Sequence, residues 1–246
     1  MAGRGQAIEG QGNYRIDLDR DWTLEDLYKF PRTFEQTYFF FASIDENLSE
    51  GDQERILRAY NAFPWQGGYS AVSFFDELKY SFDSRQRPKI VVIHKASPGL
   101  LELSLVVGVA YSLAKIVKSV AAAINSANDT YHNIYKGMQE RKLLKLKVEH
   151  QTLELNKAHM VFVDSSSRTM AKLLGFSSPA QLNSITKSPY LSLKILLSVY
   201  RRVRTLAEYE NNGKARLSET EIPIPPPIRR PRLRGTRVIK IPKRSK

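Results

Sequence analysis

The chain contains no cysteine. Disulfides, thiolate metal ligands and cysteine nucleophiles are therefore all excluded. Nothing in this composition demands an oxidising compartment. The opening residues Met1-Ala2-Gly3-Arg4-Gly5-Gln6 lead into no apolar run. No secretory signal of the usual kind is expected, and a cytoplasmic location is the expectation.

Long apolar runs are also missing. The mostly apolar, uncharged stretch Leu103 to Ala114 has twelve residues, whereas a spanning helix needs roughly 20. The stretch is expected to be a buried core element. The alternative is a membrane-acting effector that inserts this segment after a conformational change.

Common catalytic signatures are absent too. There is no P-loop, no G-x-G-x-x-G and no G-x-S-x-G, which disfavours the usual nucleotide-binding and hydrolytic enzymes. The histidines His94, His132, His150 and His159 show no i, i+4 pair. Asp17, Asp19 and Asp21 begin like a calcium loop. Trp22 stands where the loop needs Gly, and Tyr28 stands where it needs a bidentate Glu. No metal and no cofactor is expected. An enzyme would need a dispersed site, for which Glu35, His94, Glu102 and Asp164 are the polar residues in apolar surroundings to examine.

What the sequence has in excess is positive charge in one place. The formal charge is +13, and residues 222–246 hold nine Lys or Arg without one Asp or Glu. That leaves only +4 for residues 1–221. The tail opens with Ile222-Pro223-Ile224-Pro225-Pro226-Pro227, an extended polyproline-type run. Arg229, Arg230, Arg232, Arg234, Arg237, Lys240, Lys243 and Arg244 follow. Clustered cations of this kind neutralise phosphates and release counterions. No aromatic lies between them, so base stacking and sequence readout are not expected. Val238-Ile239-Lys240-Ile241 has the composition of a strand that adds to a sheet edge.

The chain as a whole has 42% apolar residues, enough to bury a core. Tyr14, Ile16 and Leu18 alternate with polar residues, the period of a half-buried strand. Thr23 with Asp26 predicts a capping box that opens a helix. Pro31 is expected to interrupt or restart that helix. Tyr38-Phe39-Phe40-Phe41 reads as a buried helical segment, with a partner-binding surface as the alternative. Asp45 to Asp52 reads as a polar loop, Phe63 to Tyr69 as a turn, and Ala71 to Phe82 as a helix.

Ile90-Val91-Val92-Ile93 has the composition of a buried strand. It turns at Ser97-Pro98-Gly99 into a second strand carrying Leu101, Leu103 and Leu105. A long helical region follows from about Gly108, with Gly137 as a hinge or helix end. Leu144 to Phe162 suggests a helical hairpin. Ser188 and Pro189 predict a cap and first turn. The last helix then buries Leu193, Leu196, Leu197, Tyr200, Val203 and Ala207, and Gly213 ends it. Lys194, Arg201, Arg202 and Arg204 lie on this helix as a second basic group.

The expected architecture is α+β: a mostly helical body with a small β-sheet and a disordered basic C-terminal tail. Residues 1–13 form a flexible leader, 14–213 a single domain and 214–246 the Pro/Arg-rich tail. The expected role is non-catalytic. The body would bind a protein partner as an adaptor does, and the tail an anionic one, with nucleic acid ahead of membrane lipid.

Overall fold

The computed structural model describes residues 10–44, 48, 50–62, 68–94, 96, 98–145 and 157–220. The tail residues Arg229 to Arg244, most of the predicted hairpin between Leu144 and Phe162, and the Trp65 turn lie outside them. The architecture is α+β, with eight α-helices and one antiparallel sheet of four strands among the described residues.

The sheet runs in the order β2-β3-β1-β4. Strand β1 (Gln11–Leu18) pairs antiparallel with β3 (Gly99–Val106) on one side and β4 (Ala215–Leu217) on the other. Among the described residues strand β2 (Lys89–His94) pairs only with β3 and forms an edge. Alternation places Tyr14, Ile16 and Leu18 with Leu101, Leu103 and Leu105 on one buried face, since paired residues share a side of the pleat. Ala215 and Leu217 complete it.

Helix α1 (Leu24–Ser43) starts at the expected capping box: Thr23 and Asp26 bond reciprocally through side chain and backbone. Pro31 does not interrupt it. Proline removes one backbone donor from a helix. Here Phe30 and Phe34, both buried on either side of Pro31, tie the two halves to the same core. Tyr38, Phe39, Phe40 and Phe41 are buried as well, so the aromatic run is core. Ring contacts link Tyr111 to Tyr14, Tyr14 to Phe34, Phe34 to Phe30, Phe30 to Trp22, and Trp22 to Tyr209. This chain of rings joins sheet, α1 and the last helix.

Helices α2 (Glu50–Asn61) and α3 (Gly68–Ser81) pack beside α1. Ser43 and Tyr60 hydroxyls meet at 2.8 Å in the interior between α1 and α2. Helix α4 (Val107–Ala122) follows β3 without a loop, and α5 (Ile124–Glu140) leaves it at a bend of 90°. One continuous helix was the simpler sequence reading; the break falls at Ala123. Gly137 is no hinge. It sits inside α5, where a Cβ would come within 2.7 Å of the Phe162 ring. That ring belongs to α6 (Lys157–Leu173), and Arg141 lies over it at 4.2 Å. Glycine is needed there for close approach of two helices.

Helix α7 (Ala180–Thr186) leads to α8 (Pro189–Asn211), the central helix of the body. The Ser188 side chain caps α8 and Pro189 opens it. Leu193, Leu196, Leu197, Tyr200, Val203 and Ala207 are all buried. At its end Gly213 takes φ of +66°, the Gly213 N–H donates to the Glu210 carbonyl, and the Lys214 N–H donates to the Tyr209 carbonyl. This double closure is the Schellman arrangement, which favours glycine at the left-handed position.

The expected boundaries at Asn13 and Lys214 both fall within this packed region. Gln11 already pairs opposite Val106. Past Lys214, Ala215–Leu217 extends the sheet, Tyr14 donates its hydroxyl to the Ser218 carbonyl at 2.9 Å, and Lys118 pairs with Glu219 at 2.8 Å. Three residues make too short a period for sequence alternation to reveal. The body therefore includes residues through at least Glu219.

The larger difference concerns Ile90-Val91-Val92-Ile93. These residues form a strand, as expected, but not a buried one: every residue of β2 is exposed. The helices that cover β1 and β3 do not extend over this edge. β-Propensity specifies an extended backbone; it does not specify which layer will cover it.

Candidate binding surfaces

The basic residues of α8 differ in how they are held. Arg202 turns toward α1 and α3. Its Nε donates to Gln36 Oε1 at 2.8 Å, its Nη1 to the Ser198 carbonyl and hydroxyl, and its guanidinium lies 3.7 Å from the Phe75 ring centre. Burial, aided by the neighbouring Arg201 and Arg32 charges, pushes its pKa down to about 9. An arginine held this way is a packing element. Arg204 faces Glu208 on its own helix at 3.4 Å. Lys194 lies over the Tyr190 ring at 4.6 Å, and desolvation lowers its pKa to about 8. Arg201 is the exposed member of the group.

Of the four polar residues expected as candidates for a dispersed catalytic site, His94 and Glu102 are diagonal neighbours on one face of β2 and β3, while Glu35 and Asp164 stand on separate helices. Glu35 on α1 pairs with Lys79 on α3 at 3.0 Å. Glu102 on β3 accepts from Asn13 at 2.6 Å. Asp164 on α6 pairs with Arg168 at 2.9 Å. His94 ends the exposed strand β2. Each carboxylate has its own local partner, and the four residues stand on four different elements. Among the described residues no group of three or more His, Asp or Glu is placed to hold a metal.

A polar cleft lies between α1 and α3, lined by Arg32, Glu35, Gln36, Asp76, Lys79 and Tyr80 among others. Its charges pair across the gap, Lys79 with Glu35 and Arg32 with Asp76 at 3.6 Å. The pairing offsets the charge that a ligand would otherwise meet.

The segment Leu103 to Ala114 is divided between β3 and the first half of α4, and most of its apolar side chains are buried. Among the described residues no single helix is long and apolar enough to cross a membrane; α4 and α5 together have the length and composition but are bent by 90°.

The clearest exposed apolar feature is β2. Ile90 is 62% exposed and Ile93 56%, with Val91 and Val92 beside them. Ile90 stands opposite Leu103 and Ile93 opposite Leu101, so both continue the row of buried leucines beyond its cover. A register shift between Ile90 and Val92 marks a bulge in this edge. Sequence composition located the strand; its exposure becomes visible only with the layer order.

The fold and its surfaces thus define an α+β protein built on a central helix and a four-stranded antiparallel sheet. Comparison with protein families, curated proteins and solved structures finds no match.

Proposed function

We propose that this protein is a non-catalytic binding protein whose body meets a protein partner and whose basic segment after Thr220 meets an anionic one, nucleic acid before lipid. The observation that carries this reading is the contrast between two sets of cations. On α8, Arg202 and Arg204 are engaged within the body and Lys194 is partly desolvated over an aromatic ring. Residues 222–246 hold nine cations with no carboxylate among them. A series of cations without intervening carboxylates is what phosphate neutralisation requires, and the resulting affinity is independent of base sequence.

The test is duplex DNA and single-stranded RNA binding by the full chain and by a chain ending at Thr220. The shorter chain keeps β4 and Lys214, so its body stays intact. Loss of binding on truncation supports the reading. Equal binding by both chains moves the site into the body, with Arg201 the first residue to substitute. Absence of binding by either removes nucleic acid from the reading; liposome flotation with anionic vesicles then tests the lipid alternative.

A further inference from the structure

We propose that the outer edge of β2 is a docking site for an extended apolar segment with acidic flanks, supplied by another protein and added to the sheet as a fifth strand. The proposal rests on the protein-partner half of the reading above and names that partner's chemistry.

The backbone supplies the first argument. On its outer side β2 has no strand partner among the described residues, and none of those residues forms a ladder with its outer N–H and C=O groups, the groups that a further strand would use. An edge of this kind is normally blunted by charge, proline or cover, because it invites pairing. Here the middle of the strand is four successive apolar residues, all exposed. An incoming strand would extend the apolar row that runs from Leu101 and Leu103 through Ile93 and Ile90.

Charge decides which occupant fits. From Ser84 to Leu101 the sequence holds Arg85, Arg87, Lys89 and Lys95 and no Asp or Glu. Arg85 is paired with Asp83. Arg87 donates to the Phe82 carbonyl at 3.1 Å and lies over the Tyr80 ring at 5.1 Å, and Tyr80 is itself 62% exposed. Lys89 is exposed at the start of the strand, and His94 closes its other end. In sequence, Lys89 precedes the apolar stretch and Lys95 follows His94, so both flanks carry a cation. A second copy of β2 running antiparallel would set basic end against basic end. The chain's own Val238-Ile239-Lys240-Ile241 carries further cations on and around it. Like charges across a strand pair are destabilising and opposite charges favourable. An apolar strand with acidic ends meets the edge without that repulsion.

The probe is a short synthetic peptide with an alternating Val-Thr core and Glu pairs at both ends, labelled for fluorescence anisotropy and titrated with the full chain. The comparison peptides carry Lys pairs at the ends, or the same Glu pairs around a proline-interrupted core. Saturable binding of the Glu-flanked peptide alone is expected. Lys89→Glu should weaken it about fivefold to tenfold, and Ile93→Lys should abolish it. Both side chains are exposed, and unchanged thermal unfolding checks that the body is intact. No saturable binding overturns the proposal, as does equal binding of the Lys-flanked peptide or indifference to Ile93→Lys. A dimer of the full chain that Ile93→Lys dissociates in sedimentation assigns the edge to a second copy and overturns it. Peptide binding that appears only after removal of residues 221–246 assigns the edge to the tail and also overturns it. Tail-dependent nucleic-acid binding that persists through a negative peptide result shows that the docking proposal alone has failed.

Discussion

The carboxylate of Asp26 and the ammonium of Lys214 meet at 2.8 Å, joining the first turn of α1 to the residue that follows the Schellman closure of α8. Tyr209 donates its hydroxyl to the other Asp26 oxygen at 2.9 Å, and the Thr23 backbone and hydroxyl donate to the first. Burial by itself would raise the Asp26 carboxyl. The Lys214, Thr23 and Tyr209 hydrogen bonds outweigh it and hold the group well below the usual carboxylate range. Local cap and long-range closure thus converge on one side chain.

Asp26→Asn should lower stability by about 1–3 kcal/mol near neutral pH, through the lost charge-assisted bonds. The sign of its pH dependence follows from a depressed folded-state pKa. The stabilisation is complete above the unfolded value near 4 and is lost as pH falls through the lower folded value. Denaturant titrations at neutral pH and in the acid range should show the two proteins converging as pH falls. A constant gap across that range would contradict the assignment.

A chain ending at Asn212 should be less stable than one ending at Thr220. The shorter chain loses Lys214 and the β4 pairing with β1, while the longer one keeps both. Thermal unfolding of the two chains measures this. Equal midpoints would mean that β4 adds nothing to the body.

Leu196→Ala should cost about 2–5 kcal/mol, the range for a buried leucine whose cavity cannot fully collapse. Leu196 is 1% exposed on the central helix. A denaturant midpoint unchanged from the parent would contradict its burial.

Gly137→Ala should destabilise by about 1–3 kcal/mol through overpacking against Phe162. Adding Phe162→Leu should recover part of the loss, because two residues in contact act non-additively. Additive losses in the double-mutant cycle would show that the ring is not what Gly137 accommodates.

These residues also show what sequence pattern carries and what it does not. Thr23, Asp26, Ser188, Pro189 and Gly213 act locally, so their roles as caps and stops were legible. The buried faces of β1, β3 and α8 were legible because their periods run over several residues. Ile90 to Ile93 gave the right backbone and the wrong exposure, since cover depends on where helices from distant sequence come to rest. Lys214 and Ala215 looked like tail because a three-residue strand and one long-range ion pair leave no periodic mark. Lys194, Arg201, Arg202 and Arg204 looked like one group of available cations because sequence proximity hides the Gln36 acceptor and the Phe75 ring that distant segments bring to Arg202. Glu35, His94, Glu102 and Asp164 share apolar neighbours in sequence, yet the three carboxylates have three different partners, and only strand register sets His94 beside Glu102.

The measurement that tests the central claim most directly is the salt dependence of duplex DNA affinity for the full chain and for the chain ending at Thr220. With nine cations in residues 222–246, the full chain should show a steep log–log slope, bounded near about −8 if all of them neutralise phosphates. The truncated chain should bind weakly with a slope close to zero. A slope that survives truncation unchanged would place the phosphate contacts in the body and contradict the account.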